Sequence, residues 1–203
     1  MKKSSITICF AVVSVLIVFS QCNEKKTVDS KTLLTSKNPM FGGYENQEKW
    51  GEHLVTIGGC NDCHTPKKMT PNGPELDNSL RLSGHPAQMP PPDVNRKEME
   101  SKGLSVTQTL TSWVGPWGIS YAANLTPDST GIGAWKESNF MVALRKGKFK
   151  GIETSRDLLP PMPWQMYRNM TNNELKAIFA YLKSIKPVKN VVPQAEPPVL
   201  ASR

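Results

Sequence analysis

The stretch "GGCNDCHTP", residues 58–66, contains two of the four cysteines and one of the three histidines in a chain of 203 residues. Cys60, Cys63 and His64 therefore lie together in a sequence that is poor in both residue types. A Cys-x-x-Cys spacing serves redox-active dithiols, zinc sites and the covalent attachment of a cofactor. The cellular compartment and the flanking sequence decide between these uses.

The N-terminus predicts export from the cytoplasm. Lys2 and Lys3 precede an almost wholly apolar run over residues 6–19. This run is too short to span a bilayer comfortably, and a charged region followed by a short apolar one is typical of a signal peptide. We interpret residues 1–21 as that signal, with an uncleaved membrane anchor as the alternative.

The end of the apolar run, "VFSQC", resembles the processing site of a bacterial lipoprotein, in which the cysteine, here Cys22, is acylated. Gln21 departs from the small residue usual at its position, and cleavage after Ser20 is the alternative. We favour acylation because a free leading thiol is a liability in an oxidising compartment. A lipid on Cys22 would tether the protein to a membrane without spanning it.

The remaining chain divides by composition. Residues 22–40 are polar and lysine-rich, which predicts a flexible tether. Residues 41–192 have the length of one domain. Residues 193–203 form a proline-rich tail that we expect to be loosely held. The formal net charge of +8 suits an acidic protein partner, an anionic lipid surface or simple solubility. Nucleic acid is not a predicted partner, because no basic run is interleaved with aromatic residues.

Only Cys60 and Cys63 belong to the predicted domain. A thioredoxin-like dithiol would follow a strand, whereas the preceding "YENQEKWGEHLVTIGG" has apolar residues at helical spacing. A zinc site would need a fourth ligand, and the sequence has no second cysteine pair. C-x-x-C-H is the attachment motif of c-type haem, in which both thiols form thioethers with haem vinyl groups and His64 binds the iron.

A second iron ligand is sought near the C-terminus, since electron-transfer haems commonly use methionine. The sequence "TNNELKAIFAYLKSI" predicts an amphipathic helix that begins after a capping box of Thr171 and Glu174 and ends before Pro187. Met162, Met166 and Met170 precede it. Met162 lies between two prolines, which hold it on a stiff segment. The apolar positions of the helix are Leu175, Ile178, Phe179, Leu182 and Ile185.

A helix ending in CxxCH, a methionine loop and a last helix containing "YLKS" resemble class I c-type cytochromes. The segments "PPMPW", "AANLTPDSTGIGAW" and "FMVALRKGK" are similar to cytochromes that serve as electron-transfer modules of periplasmic dehydrogenases and oxidases. The resemblance implies an all-α, cytochrome c-like domain around one covalent haem c, with His64 and Met162 as axial ligands. Pro- and Gly-rich insertions between them predict loops and one helix over residues 138–146, closed by Gly147.

Several further residues are candidates for contact with the haem. His85 is an alternative distal ligand whose other predicted role is a loop hydrogen bond, and His53 is expected on the surface. In the family, amphipathic residues of the middle segment bond the haem propionates or line the crevice, although core packing explains each equally well. These residues are Trp113, Trp117, Tyr121, Asn124 and Arg145.

The predicted function is electron transfer rather than catalysis. The sequence has no nucleophile elbow, Gly-rich phosphate loop or paired histidines, so no catalytic residue is predicted. The protein is expected on the periplasmic side of a bacterial membrane, with a dehydrogenase, oxidase or membrane complex as its redox partner. The alternatives are a haem enzyme or gas-binding sensor with a labile distal site, and a subunit whose haem only stabilises the fold.

Overall fold

The computed structural model describes residues 39–199. The predicted signal peptide, Cys22 and nearly all of the predicted tether lie outside the described residues, as do residues 200–203. Within the described range, no helix is long and apolar enough to cross a membrane.

Two of the longer helices, α1 and α6, are the first and last α-helices of the described residues in chain order. Four further helices lie between them in the sequence. The six α-helices of residues 39–199 are α1 Gln47–Ile57, α2 Cys60–His64, α3 Arg96–Lys102, α4 Glu137–Lys146, α5 Trp164–Tyr167 and α6 Asn172–Ser184.

The prediction of an all-α domain with few or no strands holds only in part, because two short antiparallel hairpins accompany the helices. Strands β1 Lys67–Thr70 and β2 Gly73–Leu76 form one, and strands β3 Ser112–Gly115 and β4 Gly118–Tyr121 form the other. Each strand has only four residues. Both hairpins use two-residue loops that begin with proline rather than the Asn-Gly or Asp-Gly pair that usually marks a hairpin.

The core forms where α1 crosses α6. A Cβ atom at Gly51 would lie 1.9 Å from the carbonyl oxygen of Ala177, so only glycine allows the two backbones to approach this closely. Val55 and Leu175 are fully buried at this crossing, and each such side chain contributes about 1.5–3 kcal/mol relative to an exposed one. By contrast, Ile57 at the end of α1 is 65% exposed.

The predicted helix boundaries of the C-terminal half are confirmed. Thr171 and Glu174 form the reciprocal capping box that begins α6, with the Thr171 hydroxyl accepting from the Glu174 amide at 3.2 Å. Helix α4 ends at Gly147, whose left-handed backbone (φ 66°) closes it. These signals are local, and tertiary contacts do not override them.

The described part of the proline-rich tail is held against the domain, where the sequence predicts a loose segment. Glu196 exchanges backbone hydrogen bonds with Ile119 of β4 at 2.9 and 3.0 Å. The Glu196 carboxylate also pairs with Arg96 at 2.8 Å, and the Val199 amide donates to Glu100 at 3.0 Å. The tail therefore joins α3 to the second hairpin.

Candidate haem site

The C-x-x-C-H motif occupies a single helical turn. Gly58 caps α1, and Gly59 adopts a left-handed conformation (φ 67°) that redirects the chain into α2. Residues three apart on a helix are surface neighbours, so Cys60 and Cys63 share one side of this turn. Both are half-buried and are not joined in a disulfide.

The two thiols are unsuited to dithiol redox chemistry. Burial raises the pKa of Cys60 to about 11 and also raises the pKa of Cys63, so both thiols are neutral at neutral pH. A reactive dithiol needs a lowered thiol pKa. Among residues 39–199, no group of three or more His, Cys, Asp or Glu side chains is arranged to hold a metal ion.

His64 is held in the tautomer that a metal requires. The residue is only 8% exposed, and Nδ1 lies 2.7 Å from the carbonyl oxygen of Ala123. A carbonyl can only accept, so Nδ1 carries the proton and donates it, which leaves the lone pair on Nε2. Burial lowers the pKa of His64, which favours the neutral ring. Within the described residues, Nε2 has no hydrogen-bond partner.

Close backbone packing fixes the chain behind the His64 ring. The Gly84 amide donates to the His64 carbonyl at 2.8 Å. Gly84 itself has a left-handed backbone (φ 80°), and a Cβ there would lie 2.5 Å from the Ala122 carbonyl oxygen. Asn190 donates to the Ser83 carbonyl at 2.7 Å. The carbonyl group that accepts from the imidazole is thereby kept in a defined position.

The structure brings helix α5, which directly follows the methionine loop, to the attachment motif. The Tyr167 hydroxyl at the end of α5 donates to the Gly58 carbonyl at 2.6 Å, although the two residues are 109 positions apart. Burial, reinforced by the nearby cysteines, raises the pKa of Tyr167 to about 12, so the hydroxyl keeps the proton that it donates. The loop that carries Met162 leads directly into α5.

The three candidate methionines differ in their surroundings. Met162 is half-buried against the core and lines a cavity of about 310 Å³ together with its neighbours in the loop. Met166 points to solvent and is 71% exposed. Met170 packs against the core just before the cap of α6, as its position beside Thr171 predicts. The exposure of Met166 makes it the weakest candidate for an iron ligand.

Both ring nitrogens of His85 are engaged by the protein. The side chain is fully buried. Its Nε2 donates to the Met89 carbonyl at 2.8 Å, and its Nδ1 accepts from the Thr111 hydroxyl at 2.9 Å. In this arrangement His85 has the predicted loop hydrogen bonds, and no nitrogen is free to bind iron. His53 lies on the surface and stacks on Tyr44 at 4.9 Å.

Of the five middle-segment residues, four have their polar ends bonded to the protein. Trp113 differs: it is 8% exposed, and its indole N–H has no hydrogen-bond partner among the described residues. The bonded pairs are Trp117 with Ser120, Tyr121 with Glu196, Asn124 with Val188 and Arg145 with Asn172.

Three residues of the site escaped the sequence analysis. The Ala123 carbonyl is a backbone group, which leaves no signature in the amino-acid sequence. The hydroxyls of Tyr167 and Ser120 reach their partners over 109 and 40 positions, so no local pattern indicates their roles.

The donor set fits covalent haem c. Two neutral thiols share one helical turn, and the adjacent histidine keeps its Nε2 lone pair for a metal. These features suit the two thioether bonds and the axial imidazole of a c-type haem.

Comparison with curated proteins finds relatives among dehydrogenase subunits. The chain is 38% identical over 79 residues to a nicotinate dehydrogenase subunit of Pseudomonas putida, covering 38% of this chain and 6% of that one. It is 37% identical over 75 residues to the gluconate 2-dehydrogenase cytochrome c subunit of Pantoea cypripedii, covering 36% and 16%. It is 35% identical over 86 residues to the fructose dehydrogenase cytochrome subunit of Gluconobacter japonicus, covering 41% and 17%.

The chain thus spans between 6% and 17% of the length of these relatives. No family model matches it. Two of these three relatives are named as cytochrome subunits of dehydrogenases, and this likeness supports an electron-transfer module that contains haem c.

Proposed function

We propose that this protein is an exported monohaem c-type cytochrome that carries single electrons between a redox enzyme and a downstream acceptor. Cys60 and Cys63 attach the haem, and His64 and Met162 are its axial ligands. The observation that carries the proposal is the hydrogen bond from His64 Nδ1 to the Ala123 carbonyl, 2.7 Å long, beside two neutral thiols. The single CxxCH motif in the sequence supports one haem.

Each proposed residue has a defined task. When bound, the haem iron supplies one-electron chemistry by alternating between Fe(III) and Fe(II). The thioethers of Cys60 and Cys63 fix the position of the haem, and the bond to Ala123 orients the His64 ring and raises its basicity. The loop prolines on either side of Met162 restrict the backbone that presents its weak thioether. A rigid ligand set favours electron transfer, because little has to reorganise.

The proposed partner is a dehydrogenase, an oxidase or a membrane complex on the periplasmic side of a bacterial membrane. The names of the relatives, which are subunits of gluconate, fructose and nicotinate dehydrogenases, support a dehydrogenase. In such an assembly this chain would act as the electron-transfer subunit and not as the catalytic one.

Carbon monoxide separates electron transfer from a gas-binding or enzymatic haem. We expect the dithionite-reduced protein to show no rapid spectral change under carbon monoxide, because Met162 occupies the distal position. The measurement is a stopped-flow visible spectrum, with myoglobin as the positive control. Rapid and complete formation of a carbonyl spectrum would contradict the proposal and support a sensor or enzyme with a labile distal site.

We also propose that Cys22, outside the described residues, is acylated and tethers the protein to a membrane. Replacing Cys22 with serine is then expected to move the protein from the membrane fraction to the soluble fraction, since a lipid-bearing N-terminus supplies the membrane affinity. Cys9→Ser, within the predicted signal peptide, is the matched control and should leave the distribution unchanged. A wild-type protein that is already soluble and begins at Gln21 would refute acylation.

A further inference from the structure

The segment around Met162 has little means of anchoring itself. Pro160, Pro161 and Pro163 have no backbone N–H. The Met162 amide donates only to the carbonyl of Leu159, three positions away, at 3.3 Å. At the start of the loop the Leu158 amide donates to the Gly147 carbonyl at 2.6 Å. The position of residues 160–163 therefore depends on packing against the core and on hydrogen bonds that their carbonyl groups accept.

Ser120 of β4 provides such a bond. Its hydroxyl donates to the Pro160 carbonyl at 2.6 Å across 40 positions of sequence. Among the residues that the structure describes, no other side chain donates to residues 158–163. Ser120 is 6% exposed, so water offers its hydroxyl little competition.

Trp117 directs the Ser120 hydroxyl towards the loop. The indole N–H of Trp117 donates to Ser120 Oγ at 3.0 Å. A hydroxyl has one proton, so a serine that accepts from an indole is free to donate that proton to the Pro160 carbonyl. Two hydrogen bonds in series also polarise and strengthen each other.

The second hairpin fixes the Trp117 indole in turn. A Cβ atom at Gly115 would lie 2.7–2.9 Å from three atoms of the Trp117 ring. Trp117 lies in the two-residue loop that joins β3 to β4, and its indole packs on the backbone of Gly115, the last residue of β3. The β3–β4 hairpin, which the sequence did not predict, therefore positions Ser120, the residue whose hydroxyl donates to the Pro160 carbonyl of the methionine loop.

We propose that Ser120, oriented by Trp117, is a positioning residue that keeps the Met162 segment where the side chain can serve as distal iron ligand. This inference rests on the proposed function. According to this inference, Ser120 affects how readily an external ligand displaces Met162, although Ser120 is not itself an iron ligand.

Imidazole, which replaces a weak distal ligand on ferric haem, tests the inference. We expect Ser120→Ala to bind imidazole about tenfold more tightly than the wild type, the scale of one buried hydrogen bond. Ser120→Thr, which keeps the hydroxyl, should restore nearly wild-type binding. The matched control is Ser184→Ala, because the Ser184 hydroxyl also donates to a carbonyl, that of Tyr181, at 2.8 Å, but within α6. It should match the wild type.

The near-infrared sulfur-to-iron band of the ferric protein separates the possible failures. If the wild type has the band and Ser120→Ala binds imidazole as the wild type does, the positioning role is refuted and the Met162 assignment stands. If the wild type has no band, both are refuted. If Ser120→Ala yields no haem-loaded protein, the variant Trp117→Phe is used instead. We expect it to bind imidazole about threefold more tightly than the wild type, because it loses only part of the effect of one hydrogen bond. Unchanged binding in Trp117→Phe would overturn the inference.

Discussion

Replacing both Cys60 and Cys63 with alanine is expected to abolish covalent haem in the exported protein. The thioether bonds can form only at these side chains, because the other two cysteines, Cys9 and Cys22, lie at the N-terminus outside the predicted domain. The measurement is haem-linked peroxidase staining after denaturing electrophoresis. Signal should be lost completely in the double variant and reduced or lost in each single variant.

The control for this loss is Cys9→Ala, which removes a cysteine from the predicted signal peptide and should leave staining at the wild-type level. Immunodetection of the chain must accompany the stain, because a domain without haem is expected to be degraded more readily. A double variant that still carries haem through denaturation would place the covalent link outside the CxxCH motif.

Replacing Met162 with alanine is expected to remove the near-infrared sulfur-to-iron band of the ferric protein and to lower its reduction potential. Axial ligands set haem potentials over a range of about 0.8 V, so we expect a decrease on the order of 100 mV when the methionine is lost. Near-infrared spectroscopy and potentiometric titration measure the two effects. Covalent haem should be retained, since the thioethers do not depend on the distal ligand.

Two neighbouring methionines are matched controls for this experiment. Met166→Ala should keep the band and the potential because Met166 is 71% exposed. Met170→Ala should keep both because Met170 directly precedes Thr171, the residue that caps α6, where its packing is explained by the helix entry. If Met162→Ala retains the band, the assignment fails. If the wild-type spectrum instead shows two histidine ligands, His85 becomes the candidate, and it would have to give up a hydrogen bond to Met89 or Thr111.

The parts of the fold that the sequence predicted are those with local signals. The capping box at Thr171 and Glu174 and the closing glycine at Gly147 act within one helical turn of their helices. The second hairpin was not predicted because β3 is buried along its whole length and β4 along most of it, so neither shows the alternation that marks a strand. The first hairpin has no buried residue in its four-residue strands, so it shows no apolar face either. The second hairpin is also held by a distant contact, the pairing of Ile119 with Glu196.

In the candidate site, too, the residues with a local sequence signal were predicted and those that act through long-range contacts were not. Cys60, Cys63 and His64 are contiguous, so the motif is visible in the sequence alone. The groups that orient them are not, because the His64 ring binds a carbonyl 59 positions away and the methionine loop is held by Ser120 from 40 positions away. Such long-range bonds depend on the folded backbone, which no short pattern encodes.

The intact mass of the denatured wild-type protein, taken after acid–organic extraction, tests the central claim most directly. Thioether bonds survive both treatments, whereas a haem held only by coordination is extracted. We predict a single species with the mass of the processed chain plus one haem. A chain that appears at its bare mass, with the haem recovered in the organic phase, would contradict attachment through Cys60 and Cys63.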